Sequence, residues 1–424
     1  MTARVVLVPD GMADEPLSEL GERSPLAAAR TPHMDALAGA GTVGLVRTIP
    51  AGMPAGSDVA NLAVLGYDPG QVYTGRAPLE ALSIGVALGP DDVAYRCNLV
   101  TIVDGLMRDH TAGGIPGDEA RMVIAALAER FAGSPFEFHP GVGYRHLMVW
   151  RGGVEVPCTP PHDILDEPVA GYLPGATLPA VSAGERGAEP APGAAGHEAP
   201  DVAGLSGGAQ SPAAALRAVM VTAHDVVAGL RPGTDIWLWG EGRAPRLPAL
   251  TELRGLRGAV VAAVDLVRGI GVAAGMDVLD VPGATGDLET DYASKGRVAV
   301  AALRDHDLVF VHVEAPDEAG HQGDAAAKVA AIERIDAEVL GPLLAATPRP
   351  AVLVLPDHFT PVRVRTHTDP PVPFVYADSR TELGSAPERH AKTADGFSER
   401  LAAASGLLIP DGPALMDRFI AATA

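Results

Sequence analysis

Only two cysteines, Cys97 and Cys158, occur in 424 residues. Two thiols without a CxxC spacing exclude a disulfide framework and a redox motif, so both are expected to be ordinary small buried residues. Basic residues are scarce beside acidic ones: 32 Lys and Arg against 53 Asp and Glu give a formal net charge of −21. That balance argues against a nucleic-acid partner, whose phosphates require a basic surface. A small anionic substrate remains open, because it needs only a local cluster of cations. No apolar run approaches the roughly 20 residues needed to cross a bilayer, so no membrane partner is expected. The first ten residues enter a strand pattern directly and lack a signal peptide's apolar core, which gives a cytoplasmic expectation.

What is present is a large apolar complement, 47% of the chain, and a length that exceeds one ordinary core, so two domains are expected. Short apolar runs end repeatedly at acidic or turn residues. Arg4 to Val8 ends at Pro9-Asp10-Gly11, Gly258 to Val264 at Asp265, and Met276 to Val281 at Pro282-Gly283. Asp307 to Val313 ends at Glu314, Ala351 to Leu355 at Pro356-Asp357, and Val372 to Tyr376 at Ala377-Asp378. Helical patterns at Tyr292 to Leu303 and Asp324 to Leu344 alternate with them. The pattern predicts an α/β fold with a mainly parallel sheet, whose carboxyl edge is where such folds carry their sites. Residues 1–85 and 256–424 are expected to form this domain. Residues 86–255 are expected to form an inserted α/β domain, with strands at Ala94 to Val103, Gly143 to Trp150 and Asp235 to Trp239. Its helices are expected at Gly117 to Phe131 and Pro212 to Leu230. The stretch 173–211 is rich in Pro, Gly and Ala and reads as a flexible excursion; His197 within it has no assigned role.

Ser57 stands where Pro54 and Gly56 break regular structure and a helical pattern begins at Val59. A serine there is either an N-cap or a nucleophile placed where a helix N-terminus favours an incoming phosphate. The second reading needs an activator, since a serine hydroxyl is a poor nucleophile alone. Near both ends of the chain lie Asp10 after the first strand, Asp317 and His321 four residues apart, the pair Asp357-His358, and His367. Carboxylate and imidazole donors of this kind suit divalent ions such as Mn²⁺ and Zn²⁺.

Together these motifs resemble the archaeal-type, cofactor-independent phosphoglycerate mutases, whose catalytic domain is similar to that of alkaline phosphatases. The resemblance is carried by Pro9-Asp-Gly-Met-Ala-Asp14, Gly56-Ser-Asp-Val-Ala-Asn61, Leu65-Gly-Tyr-Asp-Pro69 and Tyr73-Thr-Gly-Arg-Ala-Pro-Leu-Glu-Ala81. It continues through Arg96-Cys-Asn-Leu-Val100, Tyr144-Arg-His146, Pro160-Pro-His-Asp-Ile164 and Trp237-Leu-Trp-Gly240, then Glu314 to His321 and Asp357 to Pro361. It implies an isomerase of glycolysis that interconverts 3- and 2-phosphoglycerate without 2,3-bisphosphoglycerate. The resemblance further implies a phosphoserine intermediate on Ser57, with Asp10, Ser57, Asp357 and His358 around one ion and Asp317, His321 and His367 around another. Mn²⁺ is the ion it implies, with Zn²⁺ or Mg²⁺ as alternatives.

A triply anionic substrate calls for cations. Arg145 is the first candidate for bidentate recognition of phosphate or carboxylate, and Arg96, Arg76 and His162 follow. Lys295 is a candidate phosphate holder by resemblance. One departure stands out: where the family reads Asp-Tyr-Ser-Ala-Gly-His-Ile, this chain has Asp109-His-Thr-Ala-Gly-Gly-Ile115. The family histidine is therefore Gly114, and His110 appears four residues earlier. That change leaves open a sister activity, a metal-dependent phosphatase or a phosphotransferase of the homoserine-kinase-like kind. A non-catalytic metal-binding protein is a further alternative, against which an intact Ser57 argues. No Cys/Ser-x-Pro-x-Arg pattern of a sulfatase is present. The oligomeric state is not read from the sequence.

Overall fold

Valine-rich runs such as Arg4–Pro9 suit a strand covered on both faces, and in the computed structural model all six of its residues are buried. The structure describes residues 3–176, 211–383 and 396–424. Of the expected excursion at 173–211, the part spanning 177–210, with His197, lies outside the described residues. Two units are present, one of Met1–Tyr73 with Arg246–Ala424 and the other of Thr74–Pro245. These boundaries precede the 85/86 and 255/256 read from the sequence. The helix Arg76–Ser83 packs on the second unit's strands Val93–Val103 and Thr234–Gly242, and Leu250 hydrogen-bonds to Ala274 of the first unit.

The first unit is built on an eight-stranded sheet. Its order is Leu408–Ile409, Thr42–Val46, Val372–Ala377, Ala351–Val354, Arg4–Pro9, Leu308–Val313, Gly258–Val261 and Asp277–Val278. Val372–Ala377 runs against both neighbours and the remaining pairs are parallel. Three central parallel strands, Ala351–Val354, Arg4–Pro9 and Leu308–Val313, therefore release their carboxyl ends at one edge. Asp10 and Glu314 follow their strands directly, and Asp357 comes after Leu355 and Pro356, placing all three at the edge where open parallel sheets carry their sites. Helices Tyr292–Ala302 and Ala325–Arg334 cover a core that includes Val5, Leu7, Val309, Val311 and Ile332.

Several expected elements come out differently. The helix read at 324–344 is three pieces: Ala325–Arg334, a wider π turn at Ile335–Leu340, and Gly341–Ala345. The π turn is where Gly296 packs so closely that a Cβ there would fall 2.4 Å from the Glu338 carbonyl oxygen. The strand expected at Met276 to Val281 is only Asp277–Val278, and the one expected at Gly258 to Val264 stops at Val261.

In the second unit the long strand Val93–Val103 pairs antiparallel with Leu106–Asp109, Arg145–Trp150 and Thr234–Gly242. Phe136–His139 pairs with Arg145–Trp150. Successive residues of a strand face opposite sides. Tyr95, Cys97 and Leu99 accordingly enter a core with Phe131 and Trp237, whereas Ala94 packs with Ala77, Ala81 and Leu147 on the other side. Helix Pro212–Leu230 is long and apolar enough to cross a membrane by length and composition, which differs from the expectation that no segment approaches that length. Its face of Leu216, Val219, Ala223 and Val227 belongs to this core. Cys97 lies in the same core and Cys158 is partly buried; burial pushes both thiols up, out of the reactive range.

Candidate active site

Asp10 sits immediately after its strand, with its backbone N–H donating to the Val313 carbonyl at 2.9 Å. Gly11 then turns with φ of 58°, and an added Cβ would lie 2.5 Å from Thr360 Oγ1, 2.6 Å from Asp317 Oδ1 and 2.9 Å from Asp317 Cα. Only glycine combines that dihedral with so close an approach. Ser57 opens the helix Ser57–Val64, every residue of which is buried. It is the first helical residue and Gly56 holds the cap position. Ser57 Oγ lies 3.0 Å from His358 Nε2. Asn61, one turn along, donates to the Ser57 carbonyl at 2.8 Å and to Asp357 Oδ2 at 2.9 Å. The helix is thereby fastened to the sheet edge.

Two groups of metal-binding residue types result. In one, His358 Nε2 is 3.4 Å from Asp357 Oδ2 and 3.5 Å from Asp10 Oδ1. In the other, His321 Nε2 is 2.9 Å from His367 Nε2 and 3.2 Å from Asp317 Oδ2, and His367 Nε2 is 3.4 Å from Asp317 Oδ1. Ligand atoms about 2.1 Å from one ion at tetrahedral angles lie about 3.4 Å apart, so both groups have the spacing of co-ligands. The Thr360 hydroxyl joins them, donating to Asp317 Oδ1 and lying 3.2 Å from His358 Nδ1. A third group of Asp10, His312 and Glu314 shares Asp10 with the first.

The electrostatics call for a cation. Asp10 is fully buried and, among the described residues, neither of its oxygens has an aligned hydrogen bond. Burial, then the carboxylates of Asp357, Glu314 and Asp317, raises its pKa well above the ordinary carboxylate range. For Asp317, burial acts upward but is outweighed by hydrogen bonds from His321 and His367, which hold it well below that range. Burial likewise works against the charged form of His321, yet Asp317 raises that histidine to about 9. His358 and His312 are held down to about 4 by burial. Neutral imidazoles and buried carboxylates facing one another are donors suited to divalent ions.

Two of the chain's three lysines lie behind this edge, and both are fully buried. Lys328 Nζ donates to Asp14 Oδ2 at 2.7 Å and to the Thr360 carbonyl at 2.8 Å, tying the Asp10–Asp14 loop to the Thr360 loop. Lys295 Nζ donates to the His312 carbonyl at 3.0 Å; burial lowers it to about 8 against the pull of Glu314, Asp10 and Asp287.

The remaining sequence candidates occur in the second unit, where they form one connected face. Glu80 holds Arg76 at 3.0 Å and Arg96 at 2.9 Å. The Arg96 guanidinium lies 4.2 Å from the Trp239 ring centre. The ring of His162 is edge-on to Trp239 and to His110, and His110 is edge-on to Tyr144, over which Arg145 lies. Asn98 fixes Trp239 by accepting from its Nε1 at 3.1 Å. Arg145 and His162 are exposed, Arg76 and His110 half-buried, and Arg96 buried. Burial, aided by Arg96, lowers the pKa of His110, although Asp109 pulls the other way. Gly114 has φ of 67° with nothing within 4 Å of where a Cβ would stand, so a histidine there would have room but would adopt a strained backbone.

Sequence reasoning gave no role to Asn61, Thr360, Lys328, His312, Glu80 or Trp239. Asn61, Glu80, Trp239 and Thr360 fell inside recognised motifs. The signal available for His312 and Lys328 was a polar residue at a core position, a histidine within Leu308–Val313 and a lysine on the inner side of Ala325–Arg334.

A family model described as 2,3-bisphosphoglycerate-independent phosphoglycerate mutase matches residues 38–189. A probable enzyme of that description from Geobacter sulfurreducens is 46% identical over 429 residues, covering 98% of this chain and 99% of its own. One from Methanosarcina acetivorans is 47% identical, covering 87% and 89% respectively. The solved cofactor-independent phosphoglycerate mutase of Thermoplasma acidophilum superposes with a TM-score of 0.61 at 25% identity, covering 100% of both chains. This chain belongs to the 2,3-bisphosphoglycerate-independent phosphoglycerate mutase family.

Proposed function

We propose that the chain interconverts 3-phosphoglycerate and 2-phosphoglycerate by way of a phosphoserine on Ser57, with two divalent ions at the sheet edge. Asp10, Asp357, His358 and Ser57 are the residues that would hold one ion, and Asp317, His321 and His367 the other. The observation that carries the reading is the 3.0 Å separation of Ser57 Oγ from His358 Nε2 beside two groups with co-ligand spacing. Bound divalent ions supply a lowered hydroxyl pKa and neutralisation of phosphate oxygens. The mixed oxygen and nitrogen donors suit Mn²⁺, with Zn²⁺ and Mg²⁺ as alternatives.

The chain's own part is positioning. Ser57 Oγ forms the new bond to phosphorus as the bond from phosphorus to the C3 oxygen of the substrate breaks. Oγ loses its proton and the C3 oxygen gains one. The glycerate stays bound and reorients, and its 2-hydroxyl then takes the phosphoryl group back, which restores the serine proton. The helix N–H groups behind Ser57 favour the phosphate charge. Arg145, Arg96, Arg76, His110 and His162 recognise the carboxylate and phosphate, and exclusion of water separates transfer from hydrolysis. Lys295 contributes its positive charge behind Asp10 and Glu314.

Phosphorus NMR of the Mn²⁺-loaded protein with 3-phosphoglycerate tests the reading. A 2-phosphoglycerate signal absent from the Ser57→Ala protein is expected. Release of inorganic phosphate instead would make the enzyme a hydrolase with the same serine chemistry.

A further inference from the structure

The site described above uses one oxygen of Asp10. Oδ1 is the one near His358, whereas Oδ2 lies 3.0 Å from Nε2 of His312. His312 occupies the middle of an otherwise apolar strand, is 1% exposed, and neither ring nitrogen has an aligned hydrogen bond among the described residues. Such a group is costly to keep unless it serves a partner. The sheet register brings the two side chains together. Val8 stands opposite His312 on the adjacent parallel strand, and Asp10 follows Val8 by two residues, on the same face.

We infer that His312 is a positioning residue for Asp10, its Nε2 standing 3.0 Å from Oδ2 so that a small rotation brings an N–H into line with that oxygen and leaves Oδ1 for the ion shared with Asp357 and His358. The inference rests on the metal centre proposed above. A neutral imidazole has one N–H. Of the two carboxylates beside the ring, Asp10 is at 3.0 Å and Glu314 faces Nδ1 at 3.6 Å, beyond hydrogen-bond reach. Asp10 is therefore the carboxylate within reach of the ring. Lys295 steadies the arrangement from behind, since its Nζ donates to the His312 carbonyl at 3.0 Å.

The competing reading is a third ion held by Asp10, His312 and Glu314. Lys295 argues against it. The ammonium group is buried, and Asp10 and Glu314 are among its electrostatic partners. The positive charge that a third ion would bring is thus already in place, and a dication would repel it. Histidine acting behind a ligating carboxylate fixes the ligand's orientation and tunes its affinity.

The test is Mn²⁺ titration of the metal-free protein followed by the electron paramagnetic resonance of free Mn²⁺, with His312→Leu and His312→Gln beside the unsubstituted chain. Glutamine places an N–H near the Nε2 position and leucine removes it. Two sites are expected in the unsubstituted chain. In His312→Leu, one of the two weakens by about 10- to 100-fold, while His312→Gln stays within a few-fold of the original. Equal weakening of both sites, or failure of glutamine to restore binding, makes His312 a packing residue and overturns the inference. A third Mn²⁺ lost in both variants overturns it in favour of an ion site. Unchanged binding in His312→Leu also overturns it, leaving the proposed metal centre intact. Failure of the unsubstituted chain to bind Mn²⁺ sinks that centre and the inference together.

Discussion

The hydroxyl of Ser57 and the Nε2 of His358 lie 3.0 Å apart, although 301 residues separate them in sequence. Asp58, the carboxylate of the helix that begins at Ser57, accepts from the Tyr73 hydroxyl and the Val59 N–H, and the proposed activation of the serine draws on the sheet edge instead. Replacing Ser57 by alanine is expected to lower phosphoglycerate interconversion by at least about a thousandfold, as loss of a nucleophile does. Mn²⁺ binding at the Asp317 group should persist. A coupled assay checks the first part and Mn²⁺ titration the second; by intact-protein mass after substrate mixing, a phosphorylated Ser57→Ala protein would remove Ser57 from the mechanism.

Gly11 is expected to tolerate no side chain. Alanine there would meet Asp317 and Thr360 and would hold a φ of 58°, at a cost of roughly 1–3 kcal/mol from backbone strain alone. The melting temperature should fall, and Mn²⁺ affinity should fall with it because Asp10 and Asp317 are displaced together. A variant with native melting and native affinity contradicts the packing described.

Metal affinity is expected to depend on pH through His321. In the ion-free protein its pKa is raised to about 9, so below that pH an ion must displace a proton from it. Apparent affinity should rise by about tenfold per pH unit toward 9 and then level. The ion-free fold shows the opposite trend. The His321 contribution to stability is complete below its unfolded value of about 6.5 and is lost as the pH rises through about 9. Asp317, held low, contributes above the ordinary carboxylate pKa and loses its contribution as the pH falls further. Calorimetric titration with Mn²⁺ at several pH values, with chelated samples melted in parallel, measures both trends.

Lys328 and Asp14 form a pair with both side chains at 0% exposure. Lys328→Met leaves the Asp14 carboxylate buried without its cation and is expected to cost about 3–5 kcal/mol. Lys328→Met combined with Asp14→Leu should recover a large part of that loss. Denaturant unfolding of the single and double variants gives the comparison; an equally unstable double variant would mean the loss lies in packing.

Arg145 and Arg96 are expected to fail differently. Arg145 is exposed, so Arg145→Ala should raise KM by about tenfold or more with unchanged melting. Arg96 is buried against Glu80 at 2.9 Å, and Arg96→Ala should lower melting as well because it leaves Glu80 with one cation fewer. Steady-state kinetics beside thermal melts separate the two.

That the proposed ligand residues lie together was legible because a parallel sheet puts its strand ends at one edge. Once Arg4 to Val8, Asp307 to Val313 and Ala351 to Leu355 read as buried strands, Asp10, Asp317 and Asp357 had to be near neighbours. The groups that hold those side chains were not legible, since their partners are set by register and loop return. Nothing local tells that Thr360 meets both Asp317 and His358, or that Asn61 reaches Asp357. The strand Thr42–Val46 escaped for another reason. Gly44 weakens its strand character, and only the structure shows that the glycine makes room for the Phe374 ring, 2.8 Å from where a Cβ would stand.

Burial of Lys295 and Lys328 leaves the described surface with guanidinium as its permanent positive charge. Guanidinium does not titrate in the physiological range. Acetyl-transferring enzymes and amine-directed cross-linkers therefore find no lysine on the described surface, while dicarbonyl reagents selective for arginine would map its cationic face directly.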